Sequence, residues 1–428
     1  GMPARGKSFI SHKLVSFLSW SGHATRVFNV GQHRRGSDRD GEKRSKNSEA
    51  SFFDATNQAG RELREQLAMQ VLDAALEWFE GGGEIAVFDA TNSTRRRRAK
   101  IVQRVTDGVS IVFVESICDD HDVIEANMRT KIAASPDFRG MDPDVALADL
   151  RQRIRNYERV YESVGDDEQA YIKLYNFSSK VTANHCYGRL AKLVVPYLMA
   201  VHSDDRPVYL TAVTPGPAEP EARRSSLQAS TTTTDLPPPP DDDDDDDVDL
   251  GAKLSAWWFD TFRSSCSLSA SDAGQSRLFV LASTLPAAVD AAAALKARRP
   301  DLVTVVHTSA LNPLLLGDVQ ASAVLEDDDD LGKRNFTERL DGGESYADLV
   351  TRLESAVLDI EASVDPVLVI THATPARALR AYHVNIPVVK CMGATTSPQT
   401  LALANHKPAV LELRAKVGGG WREKVHLL

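Results

Sequence analysis

Eight residues at the start of the chain, Gly1-Met2-Pro3-Ala4-Arg5-Gly6-Lys7-Ser8, match G-x-x-x-x-G-K-[ST], the spacing of a phosphate-binding loop. The glycines let successive backbone N–H groups curl around a polyphosphate. The lysine reaches the terminal phosphates, and the serine hydroxyl ligates Mg²⁺. Further on, apolar Ile85-Ala86-Val87-Phe88 deliver Asp89, followed by Ala90-Thr91-Asn92. In a chain with a phosphate loop, a carboxylate ending a buried strand is the expected organiser of Mg²⁺. Arginines give the third signal. Arg34 and Arg35 follow a short strand, Arg64 lies off the apolar stripe of a helix, and Arg153 shares a later helix with Tyr157 and Tyr161. Guanidinium groups clamp phosphate with two prongs, which lysine does not reproduce. Most of the run Arg95 to Arg98 is expected to be a solvated helix face.

Positioning these groups takes alternating strands and helices. Ile10, Leu14, Phe17 and Leu18 form one helical stripe after the loop, with the helix N-terminus aimed at a bound anion. A strand is predicted at Thr25–Val30 and a polar, mobile loop at 36–50. A helix follows from Asn57 to Phe79 (Leu63, Leu67, Val71, Leu72 and Leu76 on one side), broken by Gly81-Gly82-Gly83. A strand at Val109–Glu115 leads to Ser116-Ile117-Cys118, helices at 121–132 and 143–163 come next, and a strand at Tyr171–Tyr175 and a helix near 184–201 close the domain. Such alternation specifies an α/β fold with a mostly parallel, doubly wound sheet. A phosphate loop is expected to follow a buried strand; the chain opens on the loop's first glycine, so a truncated or mis-started N-terminus is expected, and a targeting peptide stays open.

The boundary is expected near residue 205, giving domains 1–205 and 206–428. Residues 215–250 are an expected disordered insertion, with Thr231 to Thr234, Pro237 to Pro240 and Asp241 to Asp247. Strands at Arg206–Thr211, Leu278–Ala282, Val303–Thr308 and Val367–Ile370, with an amphipathic helix over 345–362, make the second domain α/β as well. The 428 residues carry a formal net charge of -10, which speaks against a nucleic-acid partner. No run of about 18 apolar residues predicts a membrane span. Four scattered cysteines suit free thiols in a reducing compartment, hence a cytoplasmic protein.

In these blocks the chain resembles the bifunctional 6-phosphofructo-2-kinase/fructose-2,6-bisphosphatase family. The resemblance rests on the loop, Val27-Phe28-Asn29-Val30-Gly31, Val87-Phe88-Asp89-Ala90-Thr91-Asn92, Glu115-Ser116-Ile117-Cys118 and Ser135-Pro136-Asp137. It implies a P-loop kinase domain followed by a histidine-phosphatase-like (phosphoglycerate-mutase-like) domain. It also implies ATP and Mg²⁺ as cofactors, with fructose 6-phosphate as the small-molecule substrate. Carried over, Gly1 to Ser8 and Asn127 would bind ATP, and Ser8 and Asp89 the metal. Arg34, Arg64, Thr91, Arg97, Lys131, Arg153 and Tyr157 would hold the sugar phosphate. Asp89, Lys7, Lys131 and Cys118 would be catalytic, Lys131 only with one residue deleted before it. In the second half the family's Arg-His-Gly is absent: Thr211 runs into Ala212-Val213-Thr214, leaving no nucleophile. Thr308-Ser309-Ala310-Leu311 and Gly343-Glu344-Ser345-Tyr346 persist, Pro313 and Gly342 replace basic residues, His372 matches the second histidine, and Asp328 loosely matches the acid. The expected site is a degenerate one around Val213, Glu344 and His372, without bisphosphatase activity. Two rival readings are another P-loop kinase acting on a nucleotide or polynucleotide, and a non-catalytic regulatory pseudoenzyme; a homodimer is left open.

Overall fold

A computed structural model of the chain describes residues 1–37, 50–54, 56–105, 107–176, 179–202, 206–213, 250–262, 277–315, 335–339, 341–392, 408–415 and 420–428. The expected loop over 36–50, the insertion over 215–250 and Asp328 fall wholly or mainly outside these residues. The chain divides into two compact units, one built on Gly1–Ser203 and the other on Asp204–Ala415 with Trp421–Leu428.

In the first unit, helix α1 (Lys7–Trp20) starts directly from the phosphate loop and buries Ile10, Leu14, Phe17 and Leu18. Phe17 stacks on Tyr197 of α7 (Arg189–Ala200) with ring centroids 4.1 Å apart. β1 (Thr25–Asn29) and β2 (Ile85–Asp89) pair in parallel, so that Asn29 stands opposite Asp89. β3 (Val112–Ile117) runs parallel to β4 (Ala170–Tyr175), which turns back into antiparallel β5 (Lys180–Asn184). The expected single sheet is therefore two ladders among the described residues, because no described strand pairs with both β2 and β3. Their tips still meet at Gly1, whose amine donates to Thr91 O over 3.2 Å. A Cβ on Gly1 would lie 2.6 Å from Ser116 O, so this approach requires glycine.

Several boundaries differ from expectation. After Asn29 the chain enters α2 (Val30–Ser37) at once, so Arg34 and Arg35 ride a helix instead of a strand-end loop. The long helix α3 (Gln58–Glu80) begins at Asn57, whose side chain accepts from Gly60 N. α4 (Arg95–Arg104) is capped by Thr94 and α5 (His121–Ala134) by Asp120. α6 (Pro143–Glu158) stops before the expected 163, and the helix expected from 184 is the end of β5 followed by α7. Of the Arg95–Arg98 run, Arg98 is buried, its Nε 2.6 Å from Glu168 Oε2. A two-pronged ion pair accounts for that exception to a solvated face.

The second unit is built on a six-stranded sheet in the order β11-β10-β6-β9-β7-β8. β6 (Val208–Ala212), β7 (Leu278–Ala282), β8 (Val303–His307) and β9 (Val367–Thr371) are parallel; β10 (Ala409–Ala415) and β11 (Trp421–Leu427) add an antiparallel edge that sequence reasoning missed. Helix α10 (Tyr346–Ala362) starts in a capping box of Ser345 and Asp348 and buries Leu349, Leu353, Val357 and Ile360, the expected stripe. (Here α8 is Leu250–Ala256 and α9 is Pro286–Arg298.) Among the described residues no helix is long and apolar enough to cross a membrane. Cys118, Cys186 and Cys391 are free thiols; Cys266 lies outside the described residues.

Candidate active site

The loop folds as its spacing requires. Gly6 takes a left-handed φ of 76° at the entry to α1, and Ala4 also has positive φ, at 56°. Left-handed turns of this kind aim successive N–H groups to one side, the cradle an anion needs. Neighbours fix the cradle from behind: Asn127 Nδ2 donates to Ala4 O over 3.3 Å, and the Ser116 hydroxyl donates to Arg5 O. Lys7 curls back, its Nζ 2.6 Å from Met2 O. Desolvation, with Lys131 pressing from beside it, draws the Lys7 ammonium down to about 7, while Asp89 opposes the shift.

At the tip of β2, Asp89 Oδ2 accepts from Ser8 Oγ at 2.8 Å and from Asn29 Nδ2 at 2.6 Å. Oδ1 accepts no hydrogen bond among the described residues. Three turns of chain thus converge on one carboxylate: the loop, the end of β1 and the end of β2.

The arginines gather beside this centre. Arg34 Nη2 lies 2.7 Å from Asp137 Oδ2 and 3.0 Å from Oδ1, and Arg153 Nη1 lies 3.1 Å from Asp137 Oδ2. Burial works against the Asp137 carboxylate, but Arg34, Arg153 and Arg35 outweigh it and hold it below the ordinary carboxylate range. Arg153 is also paired with Asp149, at 2.7 Å. Arg64 donates to the Phe52 carbonyl, and Arg97 spans Glu65 (2.8 Å) and Arg64 O (3.3 Å). Lys131 joins the two groups. It is exposed yet has protein charges around it. Desolvation lowers its ammonium pKa, with Asp89 and Asp137 opposing and Arg153 and Arg35 adding to the effect. Its charge weighs on that of Lys7, and Arg153 weighs on its own. Tyr157 stands 6.1 Å from the Phe53 ring, and Thr91 lends its carbonyl to Gly1. Cys118 is buried, which pushes its thiol up, with Arg5 opposing.

In the second unit Val213 directly follows β6, its backbone nitrogen donating to Thr371 O over 2.7 Å, buried in the cluster of Tyr209, Leu254, Trp257 and Trp258. Buried His372 places Nε2 3.2 Å from Ser283 Oγ. The Ser283 proton goes to Asn312 Oδ1 (2.8 Å), an oxygen identified by the Thr284 N–H that it also accepts, so His372 Nε2 is the donor to Ser283. Glu344 accepts from Arg352 Nε at 2.9 Å and from Leu315 N at 3.0 Å, and Arg352 also takes Pro313 O.

The 6-phosphofructo-2-kinase family matches residues 1–205, and the histidine phosphatase superfamily (branch 1) matches 269–415. A human 6-phosphofructo-2-kinase/fructose-2,6-bisphosphatase 4 is 32% identical over 407 residues, covering 91% of this chain and 79% of its own. The chain belongs to the 6-phosphofructo-2-kinase/fructose-2,6-bisphosphatase family. A 6-phosphofructo-2-kinase/fructose-2,6-bisphosphatase of Aquarana catesbeiana is also 32% identical, over 408 residues (91% and 79%). One of Arabidopsis thaliana is 31% identical over 393 residues, 91% of this chain and 49% of that protein. The chain spans about half the length of the first curated relatives it matches. The family's two-domain order, kinase fold then histidine-phosphatase fold, matches the two units.

Within that family frame, sequence reasoning named the arginines, the loop and Asp89 but missed three supports. Asn29 was legible as the last residue of a strand parallel to β2. Asp137 stood in a recognised block yet carries the charge that gathers Arg34 and Arg153. Phe53 gave no signal, since an aromatic beside a polar stretch has no period to mark it.

Proposed function

We propose that the first unit transfers the γ-phosphoryl group of ATP to the 2-hydroxyl of fructose 6-phosphate, giving ADP and fructose 2,6-bisphosphate. The observation that carries this reading is the Asp89 carboxylate, which accepts from Ser8 of the phosphate loop and from Asn29 at the tip of β1, in the same unit as Arg34 and Arg153 gathered on Asp137. Phosphoryl transfer depends on positioning and charge neutralisation. Asp89 Oδ1 is the acceptor for the sugar's hydroxyl proton; as that O–H bond breaks, the oxygen bonds to phosphorus and the bond to ADP breaks. Lys7 steadies the departing charge, and the arginines hold the 6-phosphate away from it, two-pronged.

The donor set beside the loop suits Mg²⁺: a serine hydroxyl and one carboxylate, with no cluster of three or more His, Cys, Asp or Glu among the described residues. Mg²⁺ takes few protein ligands and shares phosphate oxygens. Ser8 and Asp89 would hold it, and it would neutralise charge on the phosphates.

The second unit lacks an imidazole at Val213 and two basic residues, at Pro313 and Gly342, so the proposal assigns it no bisphosphatase activity. Fructose 6-phosphate-dependent ADP release, lost in Lys7→Met and Asp89→Ala, tests the kinase reading; equal rates without the sugar would refute it.

A further inference from the structure

Phe53 ends a short 3₁₀ turn, Ala50–Phe53, and its half-buried ring is the meeting point of the arginine group. Guanidinium carbons of Arg153, Arg34 and Arg64 lie 4.9, 5.6 and 6.0 Å from its centroid, and Tyr157 stands at 6.1 Å. The turn is itself pinned from two helices. Ala50 N donates to Asp149 Oδ1 at 3.0 Å, Asn156 Nδ2 donates to Ala50 O at 3.1 Å, and Arg64 of α3 takes the Phe52 carbonyl. Asp149 thus fixes both the turn and Arg153.

Like charges packed this closely repel, and something must hold them. A carboxylate would do so by neutralising them, as Asp137 does for Arg34 and Arg153. An aromatic face attracts guanidinium groups through its quadrupole and leaves their net charge intact. Among the described residues no carboxylate pairs with Arg64, which rests on a backbone carbonyl and the rings of Phe52 and Phe53.

We propose that Phe53 is the positioning residue of the sugar-phosphate pocket: its ring holds Arg64, which no carboxylate neutralises among the described residues, beside the Asp137-paired Arg34 and Arg153 for an incoming phosphate. The inference rests on the kinase reading and adds a determinant of acceptor affinity that touches no reacting atom.

The variants are Phe53→Leu, which keeps bulk and loses the π-face, and Phe53→Tyr, which restores it. Phe53→Leu should raise the half-saturating fructose 6-phosphate concentration about tenfold, the sum of several cation–π contacts. Phe53→Tyr should stay within about twofold, with half-saturation by ATP and kcat at saturating sugar little changed in both. A Leu variant equal to the wild type, a Tyr variant as impaired as Leu, or equal losses toward ATP would overturn the proposal. A second readout separates this from failure of the kinase reading: the rise in melting temperature given by inorganic phosphate with MgADP already saturating. That rise should persist in Phe53→Tyr and disappear in Phe53→Leu whatever the acceptor sugar; its persistence in Phe53→Leu would refute the role of the ring. A flat response of the wild type to fructose 6-phosphate, with phosphate protection following the ring, would sink the sugar assignment alone.

Discussion

Asn29 and Asp89 stand in register at the tips of β1 and β2, with 2.6 Å between the amide nitrogen and Oδ2. Gln32 N in turn donates to Asn29 Oδ1 at 2.8 Å, which settles which way the amide points. Among the described residues the carboxylate is thereby held by one oxygen alone, and the orientation of the proposed proton acceptor depends on Asn29 together with Ser8.

Asn29→Ala should lower kcat about tenfold with little change in half-saturation by either substrate, since orientation and not binding is lost. Asn29→Asp replaces the amide donor with a second carboxylate, which repels Asp89 in place of holding it, and should lower kcat further than Asn29→Ala. Wild-type kcat in both variants would contradict the role of Asn29 in orienting Asp89.

Lys7 predicts a proton linkage. Its ammonium titrates near 7 through desolvation and the charge of Lys131, and a polyphosphate in the loop favours the charged form. Above pH 7 a bound nucleotide must therefore bring a proton with it, and affinity must fall as pH rises. The limit is about tenfold per pH unit for one coupled proton. Calorimetry at pH 8 in buffers of different ionisation enthalpy should show uptake approaching one proton in the wild type and none in Lys7→Met.

Arg34 and Arg64 should fail in different ways. Arg34 is buried against Asp137, so Arg34→Ala strips a buried carboxylate of a two-pronged partner and should cost about 2–3 kcal/mol of stability. Asp137 has a depressed pKa, so its contribution is present above the ordinary carboxylate range and is lost as acid protonates the folded group. Arg64→Ala breaks no carboxylate pair. It should leave the melting temperature nearly unchanged while raising half-saturation by fructose 6-phosphate. Melting curves and sugar titrations of the two variants, measured together, check both halves.

What the sequence revealed follows from which features have a period or a fixed spacing. The loop, the Asp89 strand and the stripe of α10 each bury a face or bend at a glycine, and each was readable. β10 and β11 were not, because Ala409–Ala415 owes its place to β6, remote in the chain, and Trp421–Leu427 is a strand only through its pairing with β10. Which arginine of the 95–98 run is buried was not legible, because the partner of Arg98, Glu168, lies 70 positions away.

The second unit yields the last prediction. Val213 directly follows β6, where the resemblance calls for the nucleophilic histidine, and it is packed among Tyr209, Trp257 and Trp258. Restoring the imidazole alone should not restore hydrolysis. Pro313 and Gly342 supply no positive charge for a phosphate, and Glu344 is already committed to Arg352 and Leu315 N. His372 donates Nε2–H to Ser283 and so does not offer that nitrogen as a base. Phosphate release from fructose 2,6-bisphosphate should stay at background in the wild type, in His372→Ala and in Val213→His. Val213→His should also lose about 1–3 kcal/mol of stability, because it places a polar ring in an apolar cluster. Release above background in the wild type, abolished by His372→Ala, would show instead that this strand end still performs phosphoryl chemistry through a different nucleophile.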